Sequence, residues 1–377
     1  MPAPLAIVYH DEMLEHRPPG LEPEMRDYHS RKLRALLGEL VISGPWKHPE
    51  RPERLSSLVD HVRSLSDSRI LWPDVPRADE AALARAHTSG HLRKLAELRG
   101  RTRMLSLDTT AVSPGSIDAA FRAAGAAMTV VDTVLEGAAT SAFALVRPPG
   151  HHAHAANFRG FCLINNVAVA ARHAQAVHGL ERVLIIDWDV HHGDGTESIF
   201  QSDPSVLFFD LHRAAPYYPG TGAVENVGRG RGRGTTLNIP LPEDTSDLAA
   251  LEAFDRILAP AARRFRPQLI LVSAGFDGTR EHLGCNYSRA LFAHLTDRLQ
   301  RLAEELCDRR LGFVLEGGYH VEPMRSSLDH CLRVLLDPDR PLPPTGTSRI
   351  GLPAVREATD TLRSLCPLLR ESAGGAV

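Results

Sequence analysis

Seven short apolar runs recur along the chain, each set off from the next by a longer stretch, and this alternation restricts the fold more tightly than any single motif. The runs are LAIVY (5–9), AFALV (142–146), VLIIDWDV (183–190), VLFFDLH (206–212), TTLNIPL (235–241), LILVSAGF (269–276) and GFVLEGGY (312–319). Helical periodicity marks 116–137, 165–179, 247–265 and 288–307 between them. Strands that are apolar on both faces must be covered on both faces, which points to a parallel sheet between helix layers. The expected fold class is α/β, with three α/β/α layers around a mostly parallel sheet. Residues 50–340 show no linker-like composition, so 1–377 is expected to form one domain. Within it, 11–47 reads as an inserted segment and candidate oligomer contact, carrying the amphipathic RDYHSRKLRALLGEL, and 371–377 as a frayed tail.

Several function classes fall away. The 43 basic and 46 acidic residues give a net charge of −3, without the basic footprint of a nucleic-acid binder. GRGRGRG (228–234) lacks interleaved aromatic platforms and runs straight into a strand, so it reads as a loop. No apolar run is long enough for a membrane helix, and MPAPLAIVYHDEML lacks the apolar core of a signal peptide. The 5 cysteines are odd in number and form no CxxC, which fits a reducing, cytoplasmic setting better than a disulfide scaffold.

Polar residues gather where the predicted strands end, the place at which parallel sheets bind ligands. In DWDVHH (187–192), alternation puts Asp187, Asp189 and His191 on one face, and carboxylates buried with an imidazole call for a cation. Asp189 and His191 supply two ligands of zinc type, leaving a third to come from another strand end. Asp277, just past LILVSAGF, is available, although an Asp there also suits a helix cap or turn. The pair His151–His152 follows a Pro-Pro-Gly turn and can serve one pocket as base and electrostatic partner. Each such histidine needs a carboxylate on its second nitrogen, with Asp187 and Asp194 as candidates. In LEGGY (315–319) the glycine pair, Gly318 included, lets backbone approach a ligand, and Tyr319 can donate to developing negative charge.

Taken in order, RPPGHHA (147–153), GFC (160–162), DWDVHHGDGT (187–196), YPGTG (218–222), VSAGFDG (272–278) and LEGGY resemble the zinc-dependent histone deacetylase family, of the arginase/deacetylase fold. HPERPERL (48–55) is closer to its class II branch and the bacterial amidohydrolases. The resemblance implies zinc ligation by Asp189, His191 and Asp277, proton handling by His151 and His152, and carbonyl polarisation by Tyr319. It implies a tunnel walled by Phe161 and Tyr218, with the Gly160 carbonyl on the substrate and Asp108 at the rim. It also implies a potassium site from the carbonyls of Asp187, Asp189, His191 and Leu211 and the Asp187 carboxylate, with Asp210 where a serine is usual. The implied reaction is hydrolysis of an acylated lysine, a peptide bearing one, or a small acylated amine.

Three departures stand out. Asp194 replaces a common Asn and is expected to make the His152 partner anionic and raise that ring's basicity. GTREHLGC follows Asp277 in place of a Gly-Asp-Pro-Leu-Gly run, which alters the mouth. Leu283 stands where polyamine deacetylases carry an acidic gatekeeper. Two rival readings remain: a dinuclear manganese ureohydrolase, and an acyl-lysine scaffold without turnover.

Overall fold

The computed structural model describes residues 4–19, 48–106, 108–282 and 284–370. The amphipathic 26–40 piece and the 371–377 tail lie outside these residues. In chain order the strands are β1 (Leu5–Val8), β2 (Ile70–Leu71), β3 (Arg103–Met104), β4 (Ala111–Val112), β5 (Ser141–Ala144), β6 (Val183–Asp187), β7 (Val206–Arg213), β8 (Thr236–Leu241), β9 (Leu269–Ala274) and β10 (Leu311–Leu315). Eight of them form one sheet in the order β2-β1-β5-β10-β9-β6-β7-β8, and β3 pairs with β4 as a separate antiparallel ladder. Every pairing in the large sheet is parallel.

Both faces of the sheet are covered, as the double-sided apolar runs require. In β10 a side chain at Gly312 would meet Val130 of the helix Ser116–Leu135 (α1). The next residue, Phe313, lies 5.9 Å from Trp188, which in turn sits 5.8 Å from Phe292 of the helix Leu291–Leu306. Alternation along one strand therefore touches helices on opposite faces. The helix Asn166–His178 (α2) packs beside α1.

Seven of the eight strands are the runs read from the sequence; β2 has two residues and is too short to show periodicity. Five strands end earlier than their apolar runs, at Val8, Ala144, Asp187, Ala274 and Leu315. After β6 the reason is local. The Asp187 carboxylate accepts from the Asp189 amide at 3.0 Å, and Asp189 accepts from the His191 amide at 2.9 Å. Side-chain acceptors thus take donors that a continued ladder would use, and the chain turns off the sheet.

Candidate metal centre

The C-terminal ends of β5, β6, β9 and β10 deliver the motif residues to one point. Asp189, His191 and Asp277 are buried, with one ligand atom from each within 4.8 Å of the others. His191 Nδ1 lies 3.0 Å from Asp189 Oδ1 and 3.2 Å from Asp277 Oδ2. That Asp277 oxygen makes no aligned hydrogen bond among the described residues despite the short approach. A tetrahedral ion with bonds of about 2.1 Å holds its ligand atoms roughly 3.4 Å apart, so donor set and spacing fit a zinc-type cation. Backbone crowds the cluster: a Cβ on Gly317 would sit 2.2 Å from Asp277 Oδ2, and one on Gly275 would sit 2.1 Å from Asp189 Oδ2.

The electrostatics of the site show an excess of buried negative charge. Burial pushes the Asp277 carboxyl up, and the neighbouring Asp189 charge adds to this. Asp187 is raised well above the carboxylate range, by burial first and then by Asp210 and Asp189, against the opposing pull of His151. Burial works against a charged His191, but the carboxylates of Asp189 and Asp277 outweigh it and lift the ring to about 9.

The tandem histidines lie with ring centroids 4.0 Å apart and divide in character. His151 Nδ1 is 2.9 Å from Asp187 Oδ2, and His152 Nδ1 is 2.7 Å from Asp194 Oδ1. Burial opposes charge on His151, yet Asp187 and Asp189 raise it well above the ordinary value. His152 goes the other way, to about 4, because burial and the charge of His151 exceed the upward pull of Asp194. Asp194 does pull the His152 ring upward, as its charge implies, but burial and the charge of His151 exceed that pull. Asp194 is also shared, accepting from His154 at 3.1 Å and Arg159 at 2.8 Å.

Aromatic rings enclose this centre. The rings of Phe161 and Tyr319 meet edge-on at 5.7 Å, and Tyr218 stands at 5.1 Å from His152. Gly160 (φ +54) leaves no room for a side chain, since a Cβ would lie 2.3 Å from the His152 ring. Asp108 reaches both walls: it accepts from Gly160 N at 2.9 Å and from the Tyr218 hydroxyl at 2.9 Å. Its other oxygen accepts from Ser106 and, at 2.6 Å, from the Thr110 hydroxyl. The carboxylate therefore ties the walls together. Burial raises the Tyr319 phenol well above its ordinary value, which keeps it a donor.

Of the remaining sequence candidates, Asp210 pairs in register with Asp187. Its carboxylate engages Gly193 N at 2.8 Å and His212 Nδ1 at 2.6 Å. Leu211 is buried in β7. Gly318 has φ +119, a conformation that favours glycine. Leu283 lies outside the described residues.

Several residues that hold this site stand in or beside the sequence motifs without a role that the sequence assigns them. Buried Glu316 accepts from Gly150 N at 2.6 Å and His151 N at 3.2 Å, fixing the tandem-histidine turn to the end of β10. Arg54 donates to Gly318 O at 2.5 Å and Glu316 O at 2.6 Å, and its guanidinium covers the Tyr319 ring at 4.6 Å. Glu50 binds Arg54 at 2.8 Å and Arg147 at 2.8 Å, so HPERPERL braces both active loops. His282, in the loop that departs from the family pattern, accepts from Tyr319 N at 2.8 Å and His320 N at 2.6 Å.

The histone deacetylase domain family matches residues 48–335. The human polyamine deacetylase HDAC10 is 40% identical over 89% of this chain and 49% of its own length. The histone deacetylase-like amidohydrolase of Pseudomonas aeruginosa is 39% identical over 74% of this chain and 73% of its own. The crystal structure of the HDA15 HD domain superposes with a TM-score of 0.82 at 32% identity, covering 97% of both chains. The chain spans about half the length of the human relative. No described helix is long and apolar enough to cross a membrane.

Proposed function

Because the chain belongs to the histone deacetylase family of hydrolases, we propose that it cleaves an acyl amide, taking Nε-acyl-lysine or a related acylated amine as substrate. The observation that carries this reading is one buried point at which an Asp-His-Asp cluster, two carboxylate-held histidines and a tyrosine meet. Asp189, His191 and Asp277 would hold a zinc ion, and zinc there supplies an acidified water and a polarised acyl oxygen.

The chain's own groups do the rest. His152, neutral at ordinary pH, accepts the water proton on Nε2 as the water oxygen bonds to the acyl carbon. The Tyr319 hydroxyl donates to the oxygen that becomes negative. His151, paired with Asp187 and close to the Asp189 carboxylate, stabilises that charge. One of the two protonated rings then gives its proton to the amine nitrogen as the C–N bond breaks, leaving a carboxylate and a free amine. Phe161 and Tyr218 guide an alkyl chain and exclude bulk water, with the Gly160 carbonyl beside it.

The crowded negative charge around Asp187, Asp189 and Asp210 supports a second, monovalent cation. We assign potassium to it, through the carbonyls of Asp187, Asp189, His191 and Leu211. The human relative is named for polyamines. Leu283 offers no carboxylate for a second ammonium, so we favour a substrate with a single amine.

Tyr319→Phe tests the reading. The variant should keep its zinc, by metal analysis, and lose on the order of 10²-fold or more in turnover of an acyl-lysine amide. Near-normal turnover, or full activity after chelation, would sink the assignment.

A further inference from the structure

Among the described residues, a cluster of two histidines and an aspartate with metal-ligand spacing lies outside the active site and is unused by the reaction. We propose that Asp132, His173 and His178 form a second metal site, taking a divalent transition cation of the zinc class toward the end of the sheet where β5 and β6 begin, away from the catalytic centre. His173 Nε2 lies 2.6 Å from Asp132 Oδ1, and His178 Nε2 lies 2.7 Å from the same oxygen. Two imidazole nitrogens and a carboxylate oxygen are a common donor set for zinc, nickel and copper. All three ligand atoms lie within 4.8 Å of one another. Opening the present contacts to roughly 3.4 Å is enough to admit a tetrahedral ion. Asp132, with 39% of its side chain exposed, has the freedom to make that adjustment.

The surroundings suit a site rather than a chance contact. Asp132 belongs to α1, and His173 and His178 to α2, two helices packed side by side. His173 Nδ1 is buried and has no partner among the described residues, so the cluster alone orients that ring. His178 is 19% exposed, which with Asp132 leaves a side open for water as a further ligand. Both helices end where the next strand begins, α1 before β5 and α2 before β6. The cluster therefore sits at the start of strands whose other ends carry Asp189 and His151. A bound ion would clamp α1 to α2 without touching the reacting groups.

The test uses the full chain with its catalytic site already loaded, titrated calorimetrically with Zn²⁺ alone and followed by metal analysis. Wild type should take up about one further equivalent and melt at a higher temperature with Zn²⁺. His178→Ala and Asp132→Asn should lose both effects while keeping normal hydrolysis. Asp189→Asn should lose the catalytic equivalent and keep the second. If His178→Ala does not fold, the near-isosteric Asp132→Asn decides. The proposal is overturned if wild type binds nothing beyond the catalytic equivalent, or if both cluster variants still take up the second.

Discussion

Two groups of charged side chains are buried against the backbone of Glu316 to Gly318, Arg54 donating to its carbonyls and Asp189 accepting from Gly317 N, and they differ in how they are satisfied. Glu50, Arg54 and Arg147 are wholly buried, and the guanidiniums also donate to backbone carbonyls: Arg54 to Gly318 and Glu316, Arg147 to Met13 and His16. The guanidiniums outweigh burial and hold the Glu50 carboxyl down at about 2. In the Asp189–His191–Asp277 cluster, by contrast, Asp277 is pushed up and its Oδ2 makes no aligned hydrogen bond among the described residues. The first group is complete within the chain. The second is complete only with a cation, and that difference separates a brace from a binding site.

The sharpest way to break the comparison is to neutralise one carboxylate in each. Glu50→Gln leaves two guanidiniums buried without a counter-charge and should cost about 3–5 kcal/mol in urea unfolding. Asp277→Asn, measured in chelator-treated protein, should cost less than about 1 kcal/mol or stabilise, because it removes a carboxylate whose charge the fold disfavours. Equal losses in the two variants would erase the distinction.

Acid provides a smaller, graded version of the same contrast. Glu50 has its folded-state value depressed from 4.5 to about 2, so its contribution is fully present above pH 4.5 and is lost as pH falls toward 2. At about 1.4 kcal/mol per pH unit this is about 3 kcal/mol. His16, lowered to about 3 chiefly by burial, loses stability in the same direction, from about pH 6.5 down. Unfolding free energy measured from pH 5 to pH 2 should therefore fall more steeply in wild type than in Glu50→Gln. Parallel slopes would remove Glu50 from the account.

What the sequence could tell followed from where residues lie along the chain. Asp189 and His191 share one motif at a strand end, where alternation alone groups them; Asp277 was only an available third ligand until the family resemblance joined it to them. Arg54 and Gly318 are 264 positions apart, so no local pattern could join them, although both stand in recognisable motifs. Glu316 sits inside LEGGY, yet only the return of the β5 loop reveals which amides it caps. The split between His151 and His152 was illegible because it depends on burial and on each ring's charge acting on the other. His173 and His178 fell in a helical pattern with no visible partner; Asp132 came to them through the packing of a different helix.

The mildest perturbation falls between the two groups, at His282. Its Nδ1 lies 2.8 Å from the Thr279 hydroxyl, and its Nε2 accepts from the amides of Tyr319 and His320. An imidazole that accepts at Nε2 must be neutral, and burial, aided by His320 and Arg54, lowers its pKa well below the ordinary value. His282 thus positions the Tyr319 backbone, while Arg54 covers the Tyr319 ring. Removing the acceptor in His282→Ala should let Tyr319 drift and lower kcat about tenfold, roughly 1.4 kcal/mol, with KM little changed. A residue that merely stabilised the loop would lower the melting temperature without that split. The two positions act through one hydroxyl, so His282→Ala added to Tyr319→Phe should cost almost nothing more in kcat. Full additivity in that cycle would show that His282 shapes the mouth independently of Tyr319.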